Sequence, residues 1–565
     1  MACPGGGTKA PDRLNLLLVT VDSLRADRLG FSGHAAAQTP TMDALAARGV
    51  RFTSAWTPVP EATPAAASIM TGQYPPAHGL RSAFPSPAGA RTELAATATT
   101  LAESLKSQGY ATGASVGALL LHEKYGLAQG FDRYLTSFSD AARPSLIPEA
   151  GYPAQRVVDA ALEYLEGAKS GPFFLWINFQ DPHFFYAPPE PFASRFSATP
   201  YDGEIAYVDR ELGRLLERLK GWGLQERTVV VLAGTNGEGL GDEGEEYHGV
   251  ALQAATMRVP LIIVAPGRAG LMQGSSIDGD ASLVDITPTV LDLLGLPALM
   301  GIDGVSLASG RTPERKLYME SSLGVSLMGW PGARGAVASG LIQVTPGVDQ
   351  PGAAAMDPAT AALIEAAGFP SRAAQRRPVG RDQLLSVAND ALKGDRSLRR
   401  RQLQAAWLLF EGVLREDPDN YIGLLDTALL SGSRGDRVEA RRRLERARDL
   451  YPMAAEVYHQ MGHLTMAEQP ERGSDTAARL FEIACKLDPL NEEALYDAAC
   501  AYSVRGDGDR ALATLERAIA AGFRDFKWMA GDSDLDSIRS NPRFDIITGG
   551  KARKEAPTAA PAASR

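Results

Sequence analysis

Cysteine is nearly absent from this sequence: three occur in 565 residues, Cys3, Cys485 and Cys500. So few, so scattered, exclude a disulfide framework, and Cys485 and Cys500 lie within helical periodicity, where a thiol acts as a small apolar side chain. Long apolar runs are missing too. The run at residues 14–21 is far shorter than the roughly 20 residues needed to cross a bilayer, so no transmembrane segment is expected. Basic excess is also lacking, since 57 Lys and Arg against 67 Asp and Glu leave a net charge of −10. No nucleic-acid partner is expected, because no basic face is available to displace counterions from phosphates; the Arg-rich residues 396–401 read as a solvated helix face. The rest is ordinary for a folded globular protein, with 22% charged and 45% hydrophobic residues. The length suits two or three domains with a sizeable core.

The first three hundred residues alternate short apolar runs with amphipathic helical patterns, the signature of a mostly parallel sheet covered by helices. Strands are expected at residues 14–21, 173–179, 228–233 and 261–265, and helices at 41–48, 101–108, 156–168 and 209–219. Each strand runs into polar or Gly-rich residues at its carboxyl end, the edge that carries the site in an open α/β sheet. Residues 313–350 weaken into short strand-like pieces, and 351–384, rich in Ala, Pro and Gly, read as a linker.

Beyond it the pattern is all helix. Asp417-Pro418, Tyr451-Pro452 and Asp488-Pro489 close successive units at intervals of 34 and 37 residues. A period of 34 residues, helix–turn–helix ending in Pro, is the tetratricopeptide signature, with a short insertion at 468–474 lengthening the third unit. The expected organisation is a flexible segment at 1–12, an α/β domain at 13–350, the linker, a tetratricopeptide array at 385–548 and a disordered tail at 549–565.

The opening strand ends in Val21-Asp22-Ser23-Leu24-Arg25. A carboxylate there can hold a divalent cation against a substrate oxyanion; the plainer reading is a helix cap by Asp22 or Ser23. The later segments bear on that choice. They include Thr39-Pro40-Thr41-Met42-Asp43, Ser68-Ile69-Met70-Thr71-Gly72-Gln73-Tyr74-Pro75, Gly130-Phe131-Asp132, Asp181-Pro182-His183, Tyr201-Asp202-Gly203-Glu204 and Val284-Asp285-Ile286-Thr287-Pro288. In order and spacing, from residue 14 to about 344, they resemble the sulfatase family of the alkaline phosphatase superfamily. The resemblance implies that family's α/β fold. Tetratricopeptide arrays follow such domains in some bacterial relatives.

The same resemblance implies a nucleophile, a Cys matured to formylglycine or a Thr or Ser, in a stretch before Ser68. Counting back puts Ala62 at that position, with Pro64 on the motif's Pro and Ala65 and Ala66 on its polar pair. A methyl group cannot attack. Thr63, next door, offers a hydroxyl, but its side chain points along a different direction of the helix turn, and the plainer expectation is an N-terminal cap. The metal-binding residues implied by the family fall on Asp22 and Asn236, while Ser23 and Thr235 stand where carboxylates are lost. Glu238 or Asp242 can substitute only by an inward fold of their loop. Hard cations need several oxygens, preferably anionic, so affinity for calcium or magnesium should fall steeply. His183 and His248 stand where the family binds sulfate oxygens and protonates the leaving oxygen; hydrogen bonding between loops is their plainer role. His78 and Asp285 read as structural, and His34, His122, His459 and His463 carry no motif.

The expected function is a degenerate sulfatase-like domain kept as a scaffold or anion-binding module, with the helical array recruiting a protein or peptide partner. The alternative is an active hydrolase of sulfate or phosphate esters that uses Thr63, Asp22 and a divalent metal. As written, the chain is expected in the cytoplasm. The opening Met1-Ala2-Cys3-Pro4, followed by three glycines, leaves the compartment open to a second expectation, an extracytoplasmic lipoprotein anchored at Cys3 if a signal segment precedes the sequence as written.

Overall fold

Every residue from Asn15 to Val21 is buried, and successive side chains of a strand point to opposite faces. A strand apolar on both faces belongs at the centre of a helix-covered sheet. The computed structural model of the chain places it there. It describes residues 13–81, 93–136, 153–267, 271, 273–321, 324–328, 358–366, 381–399, 401–468, 474–489 and 491–552. These fall into two compact units, the first ending at residue 328 and the second beginning at 358.

In the first unit the strands are β1 (Asn15–Val21), β2 (Val50–Trp56), β3 (Ala111–Val116), β4 (Arg133–Leu135), β5 (Phe173–Phe179), β6 (Thr228–Gly234), β7 (Arg258–Val264) and β8 (Ser276–Ser282). They form one sheet in the order β4-β3-β5-β1-β6-β7-β2-β8. Strand β1 runs parallel to β5 and β6, β3 to β4 and β5, and β2 to β8, while β7 is antiparallel to β6 and β2. The sheet is mostly parallel, as expected.

Helices cover both faces. Leu16 and Leu18 pack in one cluster with α2 (Ala62–Thr71), α3 (Leu101–Ser107) and α6 (Ile286–Leu294). Leu17, Val19 and Val21 pack in the other with α1 (Pro40–Arg48), α4 (Ala154–Ala168) and α5 (Pro200–Gly221). Strands β2, β3, β4 and β8 went unread in the sequence because β3 and β8 are short on apolar residues, β4 spans only three residues and β2 carries Arg, Thr and Ser among its apolar ones. Helix α5 begins nine residues before its expected start, at Pro200 rather than 209. A short hairpin, β9 (Leu317–Ser321) with β10 (Gly324–Met328), follows. Residues 329–350, most of the expected linker and the insertion at 469–473 lie outside the described residues.

The second unit is all helix: α7 (Pro358–Ala366), α8 (Arg381–Arg399), α9 (Leu403–Glu416), α10 (Tyr421–Ser433), α11 (Arg437–Leu450), α12 (Ala455–Glu468), α13 (Ser474–Leu487), α14 (Glu492–Val504) and α15 (Gly508–Ala521), then shorter turns. Helices α8 and α9, α10 and α11, α12 and α13, and α14 and α15 pack as successive pairs. Helices α9, α11 and α13 each stop one residue before the residue that precedes Pro418, Pro452 or Pro489 in Asp417, Tyr451 or Asp488, as steric conflict with the proline ring requires. The packing continues past 549, since Ala552 is buried and Arg539 donates to its carbonyl.

Close approach within the pairs rests on glycine. A Cβ at Gly394 would lie 2.7 Å from the Phe410 ring, and one at Gly462 would lie 2.4 Å from the Phe481 ring. Gly462→Ala should therefore destabilise the helical unit by about 1–3 kcal/mol through overpacking, despite alanine's better helix propensity. Gly412→Ala, where the nearest atom is the Arg415 guanidinium at 3.6 Å, should stabilise by up to about 1 kcal/mol. Denaturant unfolding of the two variants checks the opposite signs.

Candidate functional site

Three adjacent parallel strands, β5, β1 and β6, end at one edge of the sheet, with Val21 in register with Phe179 and Gly234. The chain leaves each strand still tied to its neighbour: Asp22 N–H donates to the Phe179 carbonyl at 2.9 Å and Thr235 N–H to the Val21 carbonyl at 3.0 Å. These ties bring Asn178, Asp22 and Thr235 together. Asp22 Oδ1 accepts from Asn178 Nδ2 at 2.9 Å and from Thr235 Oγ1 at 2.7 Å. Neither Asp22 nor Ser23 caps a helix. Ser23 instead sits at φ 55°, a left-handed conformation that is strained for a non-glycine residue. Its hydroxyl lies 3.4 Å from both His248 Nδ1 and Asn236 Nδ2.

The loop after β6 folds inward. Arg25, itself buried, donates to the carbonyls of Glu238 and Gly239 at 3.3 and 3.2 Å and pairs with Asp242 at 2.7 Å. Asp242 is thereby committed to the clamp. Glu238 is carried inside, fully buried, with Oε1 3.2 Å from His248 Nδ1. His183 and His248 meet edge to face at 5.3 Å between ring centres, and His183 stacks on Phe184 at 4.8 Å. The structure thus brings together Asp22, Ser23, Thr235, Asn236, His183 and His248, and adds Asn178, Arg25 and Glu238. Asn178 and Arg25 escaped sequence reasoning because an apolar strand end and a surface-like Ser-Leu-Arg carry no metal or acid–base signature.

Thr63 has a different setting. Helix α2 begins at Ala62 with Glu61 at the cap and no side-chain capping bond, which corrects the expectation of a Thr63 cap. The Thr63 hydroxyl is buried and donates to the Leu120 carbonyl at 2.6 Å. That bond leaves its proton on a backbone acceptor rather than on a base. His78 and Asp285 are structural: His78 Nε2 is 2.9 Å from Ser68 Oγ, and Asp285 accepts from Ser282 and Val305 N–H.

Burial dominates the electrostatics. It raises Asp22 to about 6, against the Thr235 and Asn178 hydrogen bonds, and raises Asp181 to about 6 and Glu245 to about 7. Burial and the adjoining His248 hold His183 down at about 3, neutral. For His248 burial is outweighed by Glu238, which raises it. Glu238 is also near enough to Tyr186, Tyr201 and Glu204 to raise them, after their own burial.

The donors do not fit a family-type divalent site. Calcium and magnesium require several oxygens with anionic charge, whereas Ser23 and Thr235 supply hydroxyls, Thr235 turns its proton onto Asp22, and Glu238 faces an imidazole. Among the described residues, no three carboxylate, imidazole or thiol ligand atoms converge at this edge.

Paired imidazoles and a strand-end carboxylate at the carboxyl edge of a mostly parallel sheet define an α/β domain with its polar cluster where such folds carry their sites. The sequence model of the sulfatase family matches residues 14–296, and the chain belongs to that family. A "Sulfatase" of Formosa agariphila is 27% identical over 373 residues, covering 53% of this chain and 73% of the relative. Arylsulfatase A of Homo sapiens is 27% identical over 373 residues, covering 54% and 70%. The solved phosphonate monoester hydrolase of Agrobacterium radiobacter aligns at 23% identity over 54% of this chain and 80% of its own, with a TM-score of 0.45.

Asp22→Asn distinguishes a buried acid from a metal ligand. The folded value near 6 exceeds the unfolded value of 3.8, so the stability Asp22 contributes is present below about pH 4 and lost as pH rises through 6. Two pH units correspond to about 3 kcal/mol. The variant should unfold at higher denaturant than the parent at pH 8, by up to that amount, and the gain should vanish toward pH 4. Added calcium should not reverse the order.

Proposed function

We propose that the α/β unit is a sulfatase-family domain without ester hydrolysis, retained as a scaffold, and that the helical unit binds a protein or peptide partner. The observation that carries this reading is the Thr235 hydroxyl donating to Asp22 at 2.7 Å: an uncharged hydroxyl occupies the place where the family's second carboxylate would help hold a cation. Ala62 at the first turn of α2 and the commitment of Thr63 to Leu120 support it from the nucleophile's side.

The charge balance favours a scaffold over an anion-binding module. Glu238 raises Glu204 and Glu245, and Asp181 raises Glu204. Against these acids stand His248, paired with Glu238, and Arg25, paired with Asp27 and Asp242. A sulfate dianion entering there would meet buried acids before an uncommitted cation. The case for partner binding rests on the paired helices of the second unit, since stacked hairpins present an extended concave surface to a peptide or helix.

Purified protein should hydrolyse neither aryl sulfates nor aryl phosphates above the buffer rate, with calcium, magnesium, manganese or zinc added singly. Enzymes exceed that rate by about a millionfold or more, so the measurement is decisive. Metal-dependent turnover that disappears in Asp22→Ala and Thr63→Ala would replace the scaffold with an active ester hydrolase.

A further inference from the structure

We propose that His459, His463 and Asp497 in the helical unit bind one divalent transition-metal ion of the zinc class, bridging α12 and α14. The two imidazoles lie one turn apart on α12, so they occupy one face of it, and Asp497 reaches them from α14. Their ligand atoms converge. His459 Nε2 is 2.7 Å and His463 Nε2 2.8 Å from the same Asp497 Oδ2, and the two nitrogens are 3.2 Å apart. In a tetrahedral zinc shell, with bonds of 2.0–2.1 Å, ligand atoms are separated by about 3.3 Å. An ion therefore fits once Asp497 draws back from the two imidazoles by about 0.6 Å.

Three further features suit a metal better than a chance cluster. His459 Nδ1 faces Glu456 Oε2 at 3.5 Å, so a carboxylate lies behind the ligating imidazole, the arrangement that orients such ligands and raises their basicity. Phe481 stands edge-on to both rings at 5.8 and 5.5 Å, closing one side with an apolar wall. His459 is buried whereas the His463 side chain is 48% exposed, giving the ion a path in and leaving a position for water or a ligand from outside. Two imidazoles and one carboxylate are a donor set for zinc, cobalt or nickel rather than calcium or magnesium. The site is independent of the sulfatase edge and of the reading given to it.

The test uses the full chain, stripped with a chelator and titrated with zinc by calorimetry and with cobalt(II) by visible absorption. One equivalent should bind at micromolar concentration or tighter, with the ligand-field bands of a low-coordinate cobalt site. His463→Ala and Asp497→Asn should each weaken binding by at least about tenfold, and Glu456→Gln by about tenfold, while Asp22→Asn leaves it unchanged. Circular dichroism reports whether each variant is folded. Should a variant unfold, X-ray absorption of the zinc-loaded parent decides: two imidazoles with oxygen uphold the site, and an all-oxygen or sulfur-containing shell overturns it. Absence of uptake by the parent, or uptake that survives both ligand substitutions in folded protein, also overturns it.

Discussion

The hydrogen bonds that Asp22 accepts from Asn178 and Thr235 fix its carboxyl at the edge of the sheet and partly offset the cost of burying it. All three residues sit where neighbouring parallel strands end, so their spacing is set by strand geometry and not by the loops beyond. A cluster of carboxylates at such a position repels itself unless a cation neutralises it, because like charges in a desolvated site are costly. With hydroxyls at Ser23 and Thr235 that repulsion is absent.

The loop after β6 folds inward at the same edge. Arg25 reaches back to the carbonyls of Glu238 and Gly239 and pairs with Asp242. Glu238 is thereby buried, and its charge finds His248 instead of a metal. His183, held low by its burial and by the adjoining His248, stays neutral and stacks on Phe184. His183 thus stacks on an aromatic ring while His248 pairs with Glu238 in the same network.

Much of this was legible in the sequence, and the boundary between what was and was not is physical. Strands β1, β5 and β6 declare themselves because burial on both faces makes them continuous apolar runs, and their ends locate Asp22 and Thr235 without any structure. Helix α5 was found only from its later turns, since Asp202, Gly203 and Glu204 interrupt the apolar stripe. The inward turn of Glu238 depends on Arg25, over two hundred residues earlier, and a contact at that separation leaves no local pattern. His459 and His463 share a helix face visible as a four-residue spacing, but Asp497, on another helix, is brought to them only by the pairing of hairpins.

The same separation sets the packing of the fold apart from the polar edge. The apolar clusters on the two faces of the sheet draw on residues such as Leu16, Val19, Trp176 and Leu212, none of which touches the carboxyl edge's polar network except through Trp176, whose indole N–H donates to Thr20. Stability is therefore supplied beneath the site, and buried acids at the site oppose it at neutral pH, as the raised value of Asp22 indicates. Ligand carboxylates are tolerated only while a bound cation offsets their burial. Ser23 and Thr235 add no buried charge of their own to the edge, and the two apolar clusters hold the fold beneath it.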